Sequence, residues 1–522
     1  MEHEENIVRL AKPKKKGLLA LVFSRLFLIA LLMAMQLLLN ISLFAWLRQY
    51  LPHYAAVQIV FTFLMTLYLF NSRMDSSAKL TWLAVIAVAP LFGAALLAFT
   101  QVNVGHRRTQ RRTVELIEQT KDAVPQDGAV LERLKGDPYG VDDLHRYLSR
   151  SGDFPIFDRT SVTYFPQGED KFAAMLDELE KAETFIFMEY FIIEEGVMWG
   201  RILDVLARKA KQGVDVRVMY DGMCEITTLP HDYPKRLGEL GIKAKIFSPI
   251  TPFVSTHYNY RDHRKILVID GKVAFNGGVN LADEYVNRRE RFGHWKDTAV
   301  MLRGEAARSF TLMFLQMWNL TEQEPDFRPE LFAPTEQPRE EGFVMPYGDC
   351  PLDDDKVGEA VYMDILNRAT DYVHLMTPYL ILDGELETAL KFAAERGVDV
   401  KLILPGIPDK PVAYALAKSH YQVLTEAGVK IYEYTPGFVH AKVCVSDGAR
   451  AVVGTINLDY RSLYHHFECA TYLYRVPCIL DIERDFDTTL RKCRAVTAET
   501  IKAEKLSYKL LGPLLKIVAP LM

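Results

Sequence analysis

The sequence has no cysteine pair at the spacing a zinc site or a redox centre would need. Its six cysteines (Cys224, Cys350, Cys444, Cys469, Cys478 and Cys493) are scattered, with no CxxC motif and no Cys/His cluster. That pattern fits reduced thiols used as core filler. No glycine-rich nucleotide loop and no zinc motif occurs, so neither a metal nor an organic cofactor is expected. A surplus of positive charge is missing as well: 62 Lys and Arg stand against 67 Asp and Glu, a formal net charge of −5. Without a global basic field, nucleic acid is not an expected partner. The chain of 522 residues is long enough for two or three domains with full cores.

What is present is unevenly spread. Residues 17–99 are almost entirely apolar, and the rest reads as a soluble region. A basic tail, residues 1–16, carries Lys12, Lys14, Lys15 and Lys16, and an apolar run over 17–47 follows it with Arg25 inside. A second run covers 54–70, and a third, carrying Pro90, covers 80–99. At ~20 residues per crossing these are candidate membrane spans, because only a helix satisfies its own backbone in lipid. Two to three apolar helices are therefore expected within residues 17–100. The tail and Arg107, Arg108, Arg111 and Arg112 beyond the third run both favour the cytoplasmic side. Residues 48–53, nearly free of cations, favour the outside. Three full crossings would separate the two basic ends. The expectation is a hairpin in the cell membrane, with the catalytic region on the cytoplasmic side.

Residues 101–150 are polar and charged and read as a juxtamembrane linker with some helix. From residue 151 strand-like and helix-like patterns alternate, as in α/β domains, and then the chain repeats itself. The buried-strand pattern of residues 184–191 is matched at 372–379. Gly-Val-Asp-Val closes the next helical stretch at 213–216 and again at 397–400. Gly-Ile-Lys at 241–243 and Gly-Val-Lys at 428–430 each lead into a further strand. Two tandem α/β domains follow, 151–325 and 343–500, joined by a Pro/Glu/Asp-rich connector at 326–342. Residues 501–522 form a tail whose end, YKLLGPLLKIVAPLM, is apolar and lightly basic. It fits an interfacial segment or a tail packed on the domain.

Each half carries the same constellation. His263, Lys265 and Asp270 are followed by Gly277, Gly278 and Asn280; His440, Lys442 and Asp447 are followed by Gly454, Thr455 and Asn457. Both read HxKxxxxD, and ten residues separate Asp from Asn in each. A spacing of two on a strand puts His and Lys on one face. Asp-Gly makes a turn, and the small residues allow close approach of backbone or ligand. A phosphodiester anion resists attack, and two lysines with two asparagines can neutralise its oxygens without a metal. One histidine can act as nucleophile through a phospho-histidine, while the other transfers protons to and from the alcohols. Each Asp would orient the machinery of its own side or a histidine nitrogen. Glu284 and Glu468, shortly after the two asparagines, either shape the site or form structural ion pairs. His257 and the pair His465-His466 are read as packing or surface residues.

These residues resemble the phospholipase D superfamily, over about residues 151–495. The resemblance implies that both motifs meet at one active site between two α/β/α domains packed as a pseudo-twofold pair. It implies His263 as nucleophile and His440 as general acid, with Asn280 and Asn457 contacting phosphate. The wording around the motifs narrows the resemblance to the bacterial cardiolipin synthase family: residues 261–285, 434–442 and 454–462, with Phe467-Glu468 after them. Asn276 and Thr455 depart from that pattern, where an apolar residue and a serine would be expected. The family reaction joins two phosphatidylglycerols and releases glycerol through a phosphatidyl-histidine. Phosphatidylethanolamine is a further candidate substrate. The same chemistry would also serve a lipid hydrolase, a phosphatidylserine synthase or a nuclease, and a non-enzymatic scaffold would not need both motifs complete.

Overall fold

A computed structural model describes residues 7–11, isolated positions between 31 and 42, and residues 51–72, 74–101, 104–249, 260–334 and 340–521. Most of the first apolar run and His257 lie outside the described residues. In the first half, strands β1 (Thr160–Phe165), β2 (Phe185–Tyr190), β3 (Asp215–Asp221), β4 (Lys243–Phe247), β6 (Lys265–Ile269), β7 (Val273–Gly277) and β9 (Ala299–Gly304) form one sheet. Two short strands, β5 (Arg261–Asp262) and β8 (His294–Lys296), stand apart from it. The sheet order is β1-β9-β7-β6-β2-β3-β4. The second half contributes β10 (Phe343–Asp349), β11 (Tyr372–Met376), β12 (Asp399–Pro405), β13 (Lys430–Tyr434), β14 (Gly437–Val439), β15 (Val443–Ser446), β16 (Arg450–Gly454), β17 (His466–Tyr474) and β18 (Cys493–Ala495). Its order, β10-β17-β16-β15-β11-β12-β13-β18, repeats the first and adds one edge strand. The central pairs β2/β3 and β11/β12 are parallel, whereas the motif strands β6 and β15 run antiparallel to β2 and β11. The expected duplicated α/β fold is present in both halves.

Period-two patterning explains how the halves meet. One face of β2 and β6 offers Phe187, Ile266 and Val268, and one face of β15 and β16 offers Val443, Val445, Ala451 and Val453. Together with helix Ala307–Trp318, buried at every residue but Gln316, they form one apolar core between the sheets. Burying this face of both sheets at ~25 cal/mol per Å² makes the interface a core, which disfavours relative motion of the halves. The opposite faces are covered by each half's own helices.

Among the described residues, three apolar helices precede the sheets: α1 (Leu51–Asn71), α2 (Ser76–Val88) and α3 (Pro90–Gln101). The third apolar run is therefore two helices and not one span. Pro90 has no N–H to donate and its ring would clash with the preceding turn, so α2 stops and α3 starts at the proline. Leu69, Trp82, Ile86, Leu96 and Leu97 bury a small core between the three. Among the described residues no helix is long and apolar enough to cross a membrane. The polar stretch read as a linker also folds, as helices Val104–Gln119, Gly128–Leu134 and Val141–Gly152. It buries Val130, Leu134, Leu144 and Leu148 in the core of the second half. At the other end, helix Leu506–Val518 lies on helix Pro411–Glu426. A Cβ on Gly512 would come within 2.9 Å of Ser419 Cβ and 3.0 Å of the Ala415 carbonyl, so glycine permits the contact.

Candidate active site

Two cross-half strand pairs bring the motifs together. β5 pairs in parallel with the start of β17, and β14 pairs in parallel with β8. The His263 backbone N–H donates to the Phe467 carbonyl at 2.9 Å, and the His440 N–H donates to the Lys296 carbonyl at 2.7 Å. Each motif histidine is thus held by the backbone of the opposite half. Both line one cavity of roughly 750 Å³ between the halves, together with Asn280, Asn457, Arg291 and Lys410.

The side-chain partners cross the boundary in the same way. His263 Nδ1 lies 2.9 and 3.0 Å from the two carboxylate oxygens of Glu468, and His440 Nδ1 lies 2.6 Å from Asp297 Oδ2. A carboxylate on Nδ1 fixes the proton there and leaves Nε2 as the reactive nitrogen. Lys265 Nζ donates to the His263 carbonyl at 2.5 Å. Lys442 Nζ donates to the His440 carbonyl and sits 2.8 Å from Nδ1 and 3.1 Å from Nε2 of that ring. Asn280 accepts from the Ile192 N–H at 3.0 Å and donates to Tyr285 Oη at 2.8 Å. Asn457 Oδ1 is buried with no hydrogen-bond partner, available to a ligand's donor.

Burial and clustered cations shape the electrostatics. Burial, reinforced by Lys265 and Lys442, holds the His263 pKa well below the ordinary histidine value. Burial and Lys442 push His440 down to about 4, against the opposing pull of Asp297. Burial also lowers Lys265 to about 8 and Lys442 to about 7. Burial alone would raise Asp297, but His440 and Lys442 hold it below the usual carboxylate range. The protein's own groups thus leave the site short of negative charge, which a phosphodiester supplies.

Several residues sit where the sequence suggested, with different duties. Asp270 and Asp447 do not reach the histidines. Seven residues of extended chain cover ~23 Å, so each Asp lies at the far end of its strand. There Asp270 accepts from the N–H groups of Glu183, Thr184 and Phe185 at 2.7–2.8 Å, and Asp447 from those of Thr370, Asp371 and Tyr372 at 2.9–3.0 Å. Both occupy left-handed turns, φ 53° and 54°. They tie strand ends together, and the histidine-orienting carboxylates are Glu468 and Asp297 instead. Gly278 leaves room for Asp297, which a Cβ would strike, and Thr455, its counterpart in the second half, donates its hydroxyl to Glu468. Glu284 is buried at the cavity wall and pairs with Arg289 and with Arg291 at 2.8 Å.

Sequence reasoning missed Asp297, which has no motif of its own, and set His466 aside. His466 lines the cavity with its ring centroid 5.2 Å from that of His263. Its position two residues before Glu468 on β17, where alternate side chains share a face, was the available signal. Lys171 was also missed; it is fully buried beside the site, donates to the Val279 carbonyl at 3.3 Å, and is lowered to about 7 by burial, against the pull of Asp297.

Paired HxKxxxxD histidines, each braced by a carboxylate from the other half of a duplicated α/β fold, define a phosphodiester-transfer enzyme of the phospholipase D superfamily. The family model described as "Cardiolipin synthase, PLD-like domain" matches residues 175–318 and 362–490, and the chain belongs to that family. It is 32% identical over 475 residues to the cardiolipin synthase of Alkalihalophilus pseudofirmus, covering 89% of this chain and 94% of that protein. The cardiolipin synthase of Geobacillus kaustophilus is 34% identical over 447 residues, 85% of this chain and 88% of that one. An uncharacterized protein of Streptococcus mutans is 59% identical over 456 residues, 87% of this chain and 99% of that protein. Among solved structures, the phosphatidylserine synthase of Haemophilus influenzae shares the fold, with a TM-score of 0.56 at 14% identity over 73% of this chain and 97% of that one.

Proposed function

We propose that the enzyme transfers a phosphatidyl group from one phosphatidylglycerol to the glycerol hydroxyl of a second, forming cardiolipin and releasing glycerol. The observation that carries this reading is the single cavity in which His263 and His440 meet, each with its own Lys and its own cross-half carboxylate. His263 Nε2 attacks phosphorus and forms an N–P bond as the P–O bond to glycerol breaks. His440 Nε2–H gives its proton to the departing alkoxide. In the second step His440 takes the proton of the incoming hydroxyl, its oxygen bonds to phosphorus, and the N–P bond breaks. Lys265, Lys442, Asn280 and Asn457 stabilise the charge on the non-bridging oxygens. Entry of the phosphate anion opposes the burial and lysine charge that depress His440, so the proton donor forms with substrate bound.

A lipid substrate also fits the apolar surface. Ile59, Val60, Phe63, Leu64 and Phe70 of α1 are exposed, as are Leu506, Leu510, Leu511, Leu514 and Ile517 of the C-terminal helix, which contacts α2. Patches of this extent mark contact surfaces, and a bilayer is the partner that supplies the substrate. The N-terminal tail supports a reading of sidedness. Leu10 N–H donates to Glu195 Oε1 at 3.1 Å and Val8 N–H to the Gly200 carbonyl at 3.3 Å, docking residues 7–11 on the first catalytic half. Tail and catalytic region then share one side, the cytoplasmic side by the basic residues. A shared side requires that any crossings of the membrane between them be even in number, zero included.

The test is incubation of the full-length enzyme with phosphatidylglycerol in mixed micelles, with lipids followed by mass spectrometry. Cardiolipin and glycerol are the expected products. Phosphatidic acid alone would identify water as the acceptor and replace the synthase reading with a hydrolase.

A further inference from the structure

The two halves of the site share one plan but differ in the residue two before the bracing carboxylate. On the His440 side, the residue two before the bracing Asp297 is Trp295, whose ring packs on His440 with centroids 5.4 Å apart at 44°. On the His263 side, the residue two before Glu468 is His466, packed on His263 at 5.2 Å and 38°. A second aromatic meets each ring edge-on, Tyr285 against His440 at 5.3 Å and Phe191 against His263 at 4.9 Å, and Phe438 adds a further contact to His440 at 5.8 Å. An indole in one half is thus replaced by an ionisable imidazole in the other.

The hydrogen bonds fix what that imidazole presents. Arg461 Nε donates to His466 Nε2 at 3.0 Å. Arginine can only donate, so the neutral ring carries its proton on Nδ1. That nitrogen makes no hydrogen bond, is buried, and lies 3.5 Å from Glu468 Oε1. Glu468 already accepts from His263 Nδ1 and from the Thr455 hydroxyl. Glu468 and Asp297 each accept two hydrogen-bonded groups, Asp297 from His440 Nδ1 and the Thr298 N–H, but only Glu468 also faces a third N–H, that of His466 at 3.5 Å. The positive end of that N–H dipole offsets part of the carboxylate's charge, so Glu468 stabilises a His263 imidazolium less than it would without His466.

We propose that His466 is a positioning residue which, through Glu468, keeps His263 in the neutral Nδ1–H form and so makes it the attacking histidine, leaving His440 to carry protons. The inference rests on the functional reading above only for the roles of the two histidines. The groups facing His466 that bear on its pH behaviour are Glu468, Arg461 and His263, and burial keeps its own pKa well below the ordinary value.

The test compares His466→Phe, His466→Trp and His466→Asn in the full chain, with thermal melts to confirm folding. Turnover of phosphatidylglycerol is read beside turnover of bis(p-nitrophenyl) phosphate, which needs no lipid site. Phe and Trp remove the donor and are expected to lower kcat by about 10–100-fold with KM little changed. They also move the acid limb of the kcat/KM profile to higher pH, because Glu468 then favours the His263 cation more strongly. Asn restores an N–H near the Nδ1 position and is expected to recover both kcat and the limb to within a few-fold. Wild-type kcat and an unmoved acid limb in all three variants would overturn the inference, as would an equal loss in Phe and Asn. Activity on the simple diester without activity on phosphatidylglycerol would overturn the lipid reading while the variants still decide the role of His466.

Discussion

At the scale of single residues, Glu468 and Asp297 carry as much of the site as the histidines they brace. Removing one carboxylate charge while keeping its shape (Glu468→Gln or Asp297→Asn) leaves the ring in place but spoils its tautomer control. The expected loss in kcat is about 10²–10⁴-fold with the melting temperature little changed, read by steady-state lipid turnover. The pH profile of kcat/KM follows from the cited shifts. Activity rises with pH as the attacking His263 loses its proton, and burial places that limb below the ordinary histidine range. It falls again as Lys442 and Lys265 lose charge, near 7 and 8. A profile still climbing at pH 9 would contradict the lysine assignment. Asp270→Ala and Asp447→Ala act elsewhere. Each removes bonds to three backbone N–H groups, at a cost of about 1–3 kcal/mol, and lowers Tm by several degrees. The kcat of the folded enzyme stays within about tenfold.

The motif residues were legible because the chain states them twice at one spacing. Their partners were not, because 205 residues separate His263 from Glu468 and 143 separate His440 from Asp297. No local period links such pairs; they meet only through the β5/β17 and β14/β8 contacts. The misplaced duty of Asp270 and Asp447 has a simpler origin. Proximity in a motif was taken for proximity in space, and an extended strand separates its two ends.

At the scale of elements, alternation and turn signals placed the repeated strands, while the apolar N-terminal runs were harder to divide. Composition marks residues 80–99 as apolar, but the proline decides that they form two helices. The C-terminal helix was left open between an interfacial and a packed role: Gly512 packs on helix Pro411–Glu426, and five large apolar side chains face outward. Leu510 and Leu514 are 63% and 62% exposed. If lipid covers them, each contributes roughly 1–2 kcal/mol. Replacing both by Asp is expected to weaken sedimentation with phosphatidylglycerol vesicles at least tenfold, with activity on bis(p-nitrophenyl) phosphate unchanged. Equal sedimentation would remove this helix from the membrane contact.

At the scale of the whole molecule, one chain supplies both halves of one site, and residues 7–11 rest on the first of them. That contact predicts a shared side for the tail and the catalytic region. Arg9→Cys and Leu480→Cys, both at exposed positions, are expected to react with a membrane-impermeant maleimide in inverted membranes and not in intact cells. Labelling of Arg9→Cys from outside the cell would contradict it.

The covalent step is tested most directly by acid-free quenching of the wild-type enzyme during turnover of phosphatidylglycerol, followed by peptide mass spectrometry. The expected result is a phosphatidyl group on the peptide carrying His263, absent from His263→Ala and never found on His440. A phosphatidyl group on His440, or full turnover with no adduct on either peptide, would contradict the two-step mechanism and the division of labour between the halves.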